Sequence, residues 1–229
     1  MMGIHSSCEP PGAALMALYE ASFAAAGPLH WWPGRTRFEV CVGAILTQNT
    51  AWRNVKRAID NLKRARVLSP RAMRDIPQQE LAQLIVPSGY YNMKAGKLKN
   101  FVNMLFDGYG GSLDRLFARD RMELRGILLG VNGIGKETAD SMVLYAAGKP
   151  IFVIDAYTRR ILSRHGLARA DADYDELRLL FEDNLPADAR LFNEYHAQIV
   201  FVGHHYCKKT PQCGACPLGA LLPPGGPAA

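Results

Sequence analysis

A chain of 229 residues, 48% of them apolar, is long enough to bury a real core as one large domain or two modest ones. Lysine and arginine total 27 against 21 acidic residues, giving a net charge of +6 and a pI near 9.1. That bias suits a polyanionic partner without establishing one, and no segment reaches the ~20 uncharged apolar residues that a membrane span requires.

Residues 13–26 form an apolar run that Glu20 interrupts and no basic segment precedes. Leu15, Leu18, Tyr19 and Phe23 recur in it at helical spacing, so it reads as an amphipathic helix rather than a signal peptide. A cytoplasmic protein is expected, in which five cysteines are free or metal-bound rather than disulfide-linked. Residues 27–37, with Pro28, Trp31, Trp32, Pro33 and Gly34, have the composition of a connector, and a new helix is predicted from Phe38. Between residues 38 and 147 apolar positions recur at three and four, with short Gly/Pro breaks, which predicts short helices in series. Ile151-Phe152-Val153-Ile154 is strand-like in composition, but a sheet needs partner strands and none is evident, so the stretch is expected to be an extended approach to a helix over residues 156–165. Further helices are expected over residues 174–184 and 186–204, then a cysteine-rich loop, then a Pro/Gly/Ala-rich disordered tail over residues 221–229.

In the stretch Val-Asn-Gly-Ile-Gly-Lys-Glu-Thr-Ala-Asp, Gly133 and Gly135 flank Ile134 and Lys136 opens the next helix. Two glycines let the backbone turn tightly and aim successive N–H groups outward at the positive end of the helix dipole, a geometry that can hold a phosphate oxygen. Such contacts position a duplex without reading its sequence. An ordinary helix–helix turn would use the same residues. Asp155 follows Gly135 by twenty residues and precedes a helix carrying Arg159, Arg160 and Arg164. Taken alone it reads as a helix N-cap, for which aspartate is among the favoured residues.

Taken together, four ordered motifs resemble the helix-hairpin-helix DNA glycosylases related to endonuclease III. They are Ile45-Leu46-Thr47-Gln48-Asn49-Thr50, Gly89-Tyr90-Tyr91-Asn92-Met93-Lys94-Ala95, the hairpin with its spacing to Val153-Ile154-Asp155, and Cys-x5-Cys-x2-Cys-Pro-Leu from Cys207. The resemblance spans residues 38–218. It implies an all-α, two-lobed fold with a cleft between a helical barrel domain and a terminal helical domain carrying the cysteine loop. The six-helix barrel with the hairpin would take residues 30–149, and the cluster-loop domain residues 1–29 plus 150–220.

The resemblance also implies roles. Asp155 falls on the family's catalytic aspartate, whose anion stabilises the positive charge that builds on deoxyribose as the N-glycosidic bond breaks. Gln48 matches the residue that fills the gap left by an extruded base, Tyr90 falls where relatives place a wedge, and Lys94 is expected at the DNA backbone. Gly133, Gly135 and Lys136 are expected to hold a phosphate. Bifunctional members carry a nucleophilic lysine where this chain has Glu137. A carboxylate cannot form an imine, and Lys136, one position earlier on the helix, is turned away by about 100°. The expectation is a monofunctional glycosylase for damaged double-stranded DNA, with a pattern like that of members acting on alkylated purines such as 3-methyladenine. A bifunctional enzyme using another amine, a lesion-binding protein without turnover, and a hairpin module of a nuclease or ligase assembly remain as alternatives. Nothing in the sequence implies a protein partner, and a monomer is expected.

Relatives hold a [4Fe-4S] cluster with four cysteines. Here Cys207, Cys213 and Cys216 keep the family spacing, and Leu222 occupies the place of the fourth. Three thiolates with water or a distant ligand on the fourth iron, a zinc site using His204 or His205, or no metal are the possibilities. Cys8 and Cys41 are expected to be structural, and Lys208 and Lys209 to meet DNA phosphates.

Overall fold

The computed structural model describes residues 10–29, 31 and 34–227. Every regular element among them is helical, and no described helix is long and apolar enough to cross a membrane. The chain divides into two compact units, Trp32–Pro150 and Met1–Trp31 with Ile151–Ala229. Cys8 lies outside the described residues.

The first unit contains α2 (Arg37–Leu46), α3 (Trp52–Arg64), α4 (Pro70–Asp75), α5 (Gln78–Leu84), α6 (Tyr91–Tyr109), α7 (Leu113–Phe117), α8 (Arg121–Leu129) and α9 (Lys136–Ser141), which continues as a wider π turn over Met142–Ala146. Helix α2 is buried from Phe38 to Leu46 and packs on α3, α6 and α9. A helix apolar all round belongs in the middle of its neighbours. It starts at Thr36, whose hydroxyl accepts from the Glu39 N–H. Buried Glu39 then pairs with Lys63 of α3 at 2.6 Å. Cys41, expected to be structural, sits at the centre of this helix, and burial pushes its thiol pKa up.

In the hairpin between α8 and α9, Val131 and Ile134 are buried as apolar plugs beneath the turn, and the Ile134 N–H closes it on the Val131 carbonyl. Gly133 has φ +96, and a Cβ there would meet the Lys97 stem at 2.4 Å. Both facts demand glycine. Below the turn, Arg125 of α8 and Asp140 of α9 form a buried two-point ion pair, Nε to Oδ1 at 2.7 Å and Nη2 to Oδ2 at 3.3 Å. This pair fixes the angle between the hairpin's two helices.

The second unit contains α1 (Pro11–Ala26), α10 (Ala156–Arg164), α11 (Tyr174–Glu182) and α12 (Ala189–His205). Its core is aromatic: Phe152 stacks on Phe181 with ring centroids 3.6 Å apart, and Phe192 and Tyr195 meet Phe152 edge-on. The Tyr195 hydroxyl donates to the Leu15 carbonyl, joining α12 to α1. Residues 151–154 are buried and extended, yet they are not part of a sheet. Buried backbone N–H groups need acceptors. Here side chains supply them, since the Phe152 N–H donates to Glu182 and the Ile154 N–H to the Tyr174 hydroxyl.

Candidate DNA-repair site

The hairpin presents Gly135, Lys136 and Glu137 to solvent. Gly135 has no neighbour within 4 Å of where a Cβ would stand, and no side chain caps α9. Gly135, at the N-cap of α9, thus leaves open space beside the start of this helix.

Gln48 is not presented to solvent in the same way. Its Nε2 donates to the Gly133 carbonyl at 3.1 Å and to Thr138 Oγ1 at 2.9 Å, while its Oε1 accepts from Lys97 Nζ at 2.6 Å. The amide predicted to fill a gap in DNA is spent on holding the hairpin to α6. Lys94 also departs from expectation. The residue is 2% exposed, and its ammonium donates to the Leu46 carbonyl, Thr50 Oγ1 and the Ser88 carbonyl, each at 2.7 Å. Three N–H groups meet three acceptors, so none is left for a phosphate. Burial, with Lys97 adding to it, lowers its pKa to about 8. Tyr90, by contrast, is 67% exposed.

In the second unit Asp155 caps α10: Oδ1 accepts from the Thr158 N–H at 2.7 Å and from its hydroxyl at 2.8 Å. Oδ2 lies 3.7 Å from Nε2 of His196, a buried α12 residue that the sequence did not single out. Burial lowers the His196 pKa, with Asp155 opposing the shift. The ring is thus neutral near pH 7, and it does not cancel the carboxylate's charge.

The cysteine loop is anchored to α10. Arg160 Nε donates to the Cys207 carbonyl at 2.7 Å, and Arg164 donates to the Lys208 and Lys209 carbonyls and to Cys207 Sγ at 3.2 Å. Arg159 reaches the Ala172 carbonyl. These arginines hold protein backbone, while the Lys208 and Lys209 side chains remain exposed. Cys207, Cys213 and Cys216 line one pocket together with Leu218 and Leu222. The pocket pushes the Cys216 thiol pKa up, chiefly through burial. In the tail, Leu222 and Pro227 also line this pocket, and the Gly226 N–H donates to the Pro223 carbonyl.

The donor set tests the expected metal. Among the described residues no three His, Cys, Asp or Glu side chains converge on the position of a single ion. Neither His204 nor His205 is among the pocket's lining residues. Three cysteines lining one pocket, one of them accepting an N–H from Arg164, supply the soft thiolate donors that an iron–sulfur cluster would take.

A family model described as HhH-GPD superfamily base excision DNA repair protein matches residues 42–187. The Methanocaldococcus jannaschii protein MJ1434, whose name calls it a candidate DNA repair glycosylase, is 46% identical over 193 residues, 84% of this chain and 88% of its own length. Endonuclease III of Bacillus subtilis is 30% identical, covering 66% of this chain and 64% of the relative. Among solved structures, the 3-methyladenine DNA glycosylase MagIII of H. pylori, bound to 1,N6-ethenoadenine, aligns with a TM-score of 0.74 at 29% identity, covering 86% of this chain and 98% of that one. A non-covalent endonuclease III–DNA complex aligns with a TM-score of 0.79 at 26% identity, covering 93% and 95%.

Proposed function

We propose that this chain, which belongs to the HhH-GPD superfamily of base excision DNA repair proteins, is a monofunctional member that removes alkylated purines with water and leaves the strand intact. It is a base excision repair DNA glycosylase with the fold of endonuclease III and MagIII. The monofunctional reading is carried by Glu137, exposed at the start of α9 where bifunctional relatives have the nucleophilic lysine.

In this reading Asp155 does the chemistry. As the glycosidic bond breaks, its electron pair leaves with the base and positive charge develops on the sugar. A fixed anion lowers the energy of that state and orients a water molecule toward C1′. An alkylated purine already carries positive charge and leaves readily, so one carboxylate is enough. The likeness to a 3-methyladenine glycosylase supports this lesion class. Gly133, Gly135 and Lys136 grip a phosphate, assisted by Lys208 and Lys209, and the Tyr90 ring enters the stack beside the extruded base. The enzyme works as a monomer on damaged duplex DNA in the cytoplasm or nucleoid.

Borohydride reduction traps the imine of any amine nucleophile. The native protein mixed with alkylated or abasic duplex and borohydride is expected to give no covalent adduct above background. A strong adduct would overturn the monofunctional reading and implicate Lys136 or another amine.

Cys207, Cys213 and Cys216 hold a [4Fe-4S] cluster that pins the loop bearing Lys208 and Lys209, and the cluster supplies structural rigidity rather than chemistry. Freshly purified protein is expected to show broad visible absorption with about four irons per chain. A colourless protein containing zinc would refute this assignment.

A further inference from the structure

We propose that Nε2 of His165 is the fourth protein ligand of the iron–sulfur cluster, in the role that Leu222 cannot fill. The inference rests on the reading of Cys207, Cys213 and Cys216 as ligands of a [4Fe-4S] cluster. Such a cluster has one iron more than these three thiolates can satisfy.

Leu222 reaches the cysteine pocket with an apolar side chain that offers iron nothing. Besides the cysteines, the polar side chains lining the pocket among the described residues are Arg164, His165, Tyr206 and Gln212. A guanidinium has only N–H groups to give. A phenol hydroxyl and an amide oxygen are hard donors, poorly matched to iron held among thiolates, whereas imidazole binds iron and replaces cysteine in Rieske-type iron–sulfur centres.

The ring is also held as a metal ligand is held. His165 is the C-cap of α10, and its Nδ1 lies 2.8 Å from the Ile161 carbonyl oxygen one turn back. Nε2 lies 3.3 Å from the carbonyl oxygen of Leu218, two residues beyond Cys216. A carbonyl oxygen only accepts, so the shorter contact places the proton on Nδ1. Nε2 then keeps a lone pair and faces an oxygen that has lone pairs of its own, a contact that gains nothing. Metal-binding histidines have this arrangement, with one ring nitrogen donating to a backbone carbonyl and the other left free for the metal.

The preceding residue faces the same loop. Arg164 donates to Cys207 Sγ at 3.2 Å and to the Lys208 and Lys209 carbonyls. The end of α10 thus meets the loop at its first thiol and, through His165, at the turn after its third. Gly219 tightens that turn: its N–H donates to the Cys216 carbonyl, and a Cβ there would strike the Cys213 carbonyl oxygen. A single ion would need the imidazole and the thiols to converge on one point, but each iron of a cluster takes its own ligand. Ligation needs no oxidant or proton, since a neutral nitrogen simply donates its lone pair to the iron.

The test reads the magnetic spectrum of the cluster in the intact protein. Protein purified without oxygen and reduced by irradiation while frozen is expected to show hyperfine coupling from a directly bound nitrogen, with a pattern that changes when histidine is labelled with heavy nitrogen. His165→Cys is expected to keep about four irons per chain and to lose that coupling. In air, His165→Ala is expected to fall to about three irons per chain, with the spectrum of a three-iron cluster, while native protein keeps about four. A native cluster without histidine coupling, a coupling that survives in His165→Cys, or a four-iron cluster as durable in His165→Ala as in native protein would overturn the assignment of His165 and leave the cluster in place. Native protein isolated without iron would overturn the cluster itself and this assignment with it.

Discussion

Asp155→Asn is expected to lower single-turnover base release by on the order of 10²-fold or more while leaving DNA affinity nearly unchanged. The substitution isolates charge from structure. Asparagine is as good an N-cap as aspartate, so its side-chain oxygen can still accept from the Thr158 N–H and hydroxyl that Oδ1 now holds. What disappears is the negative charge beside a neutral, buried His196. Thermal unfolding measured alongside should show little change. Near-native release by this variant would remove Asp155 from the catalytic role.

The second large effect is on stability. Asp140 is fully buried and faces Arg125 through two contacts across the hairpin's helices. Taking one partner from a buried ion pair typically costs about 3–5 kcal/mol, a large share of the 5–15 kcal/mol that holds a typical protein folded. Asp140→Ala is therefore expected to lower the melting temperature by roughly 6–20 °C. The double variant Arg125→Met/Asp140→Leu should recover much of that loss, because apolar residues of similar volume remove the buried charge on both sides. A melting temperature within about 2 °C of native for Asp140→Ala would show that the pair does not hold the hairpin together.

What sequence reading captured, and what it missed, follows from chain distance. The two-glycine turn, the helix cap at Asp155 and the cysteine spacing are each written within a few consecutive residues, and the structure displays all three locally. Asp155 in particular had two competing readings, cap and catalytic group. They are compatible, since one carboxylate oxygen caps α10 and the other points toward His196.

The contacts that assign work to polar side chains were not legible. Gln48 finds its partners 85 and 90 residues away, and Lys94 finds one of its own 48 residues away. A motif can say that a lysine follows Gly89-Tyr90, but not that its ammonium is buried under two loops. The arginines of α10 find their partners on backbone carbonyls of the cysteine loop, residue 203 and residue 172, contacts that chain order does not announce. Residues 151–154 look like a strand because buried extended backbone and a strand have the same composition. Tyr174 and Glu182, on a later helix, supply the hydrogen bonds that a neighbouring strand would have given.

Water-driven base removal is tested most directly by one single-turnover reaction on an end-labelled duplex containing a single alkylated purine, divided before electrophoresis into untreated and alkali-treated halves. Free base should appear with time while the untreated strand stays full length, and breakage at the lesion should appear only after alkali. Breakage of the untreated strand in step with base release would contradict the account.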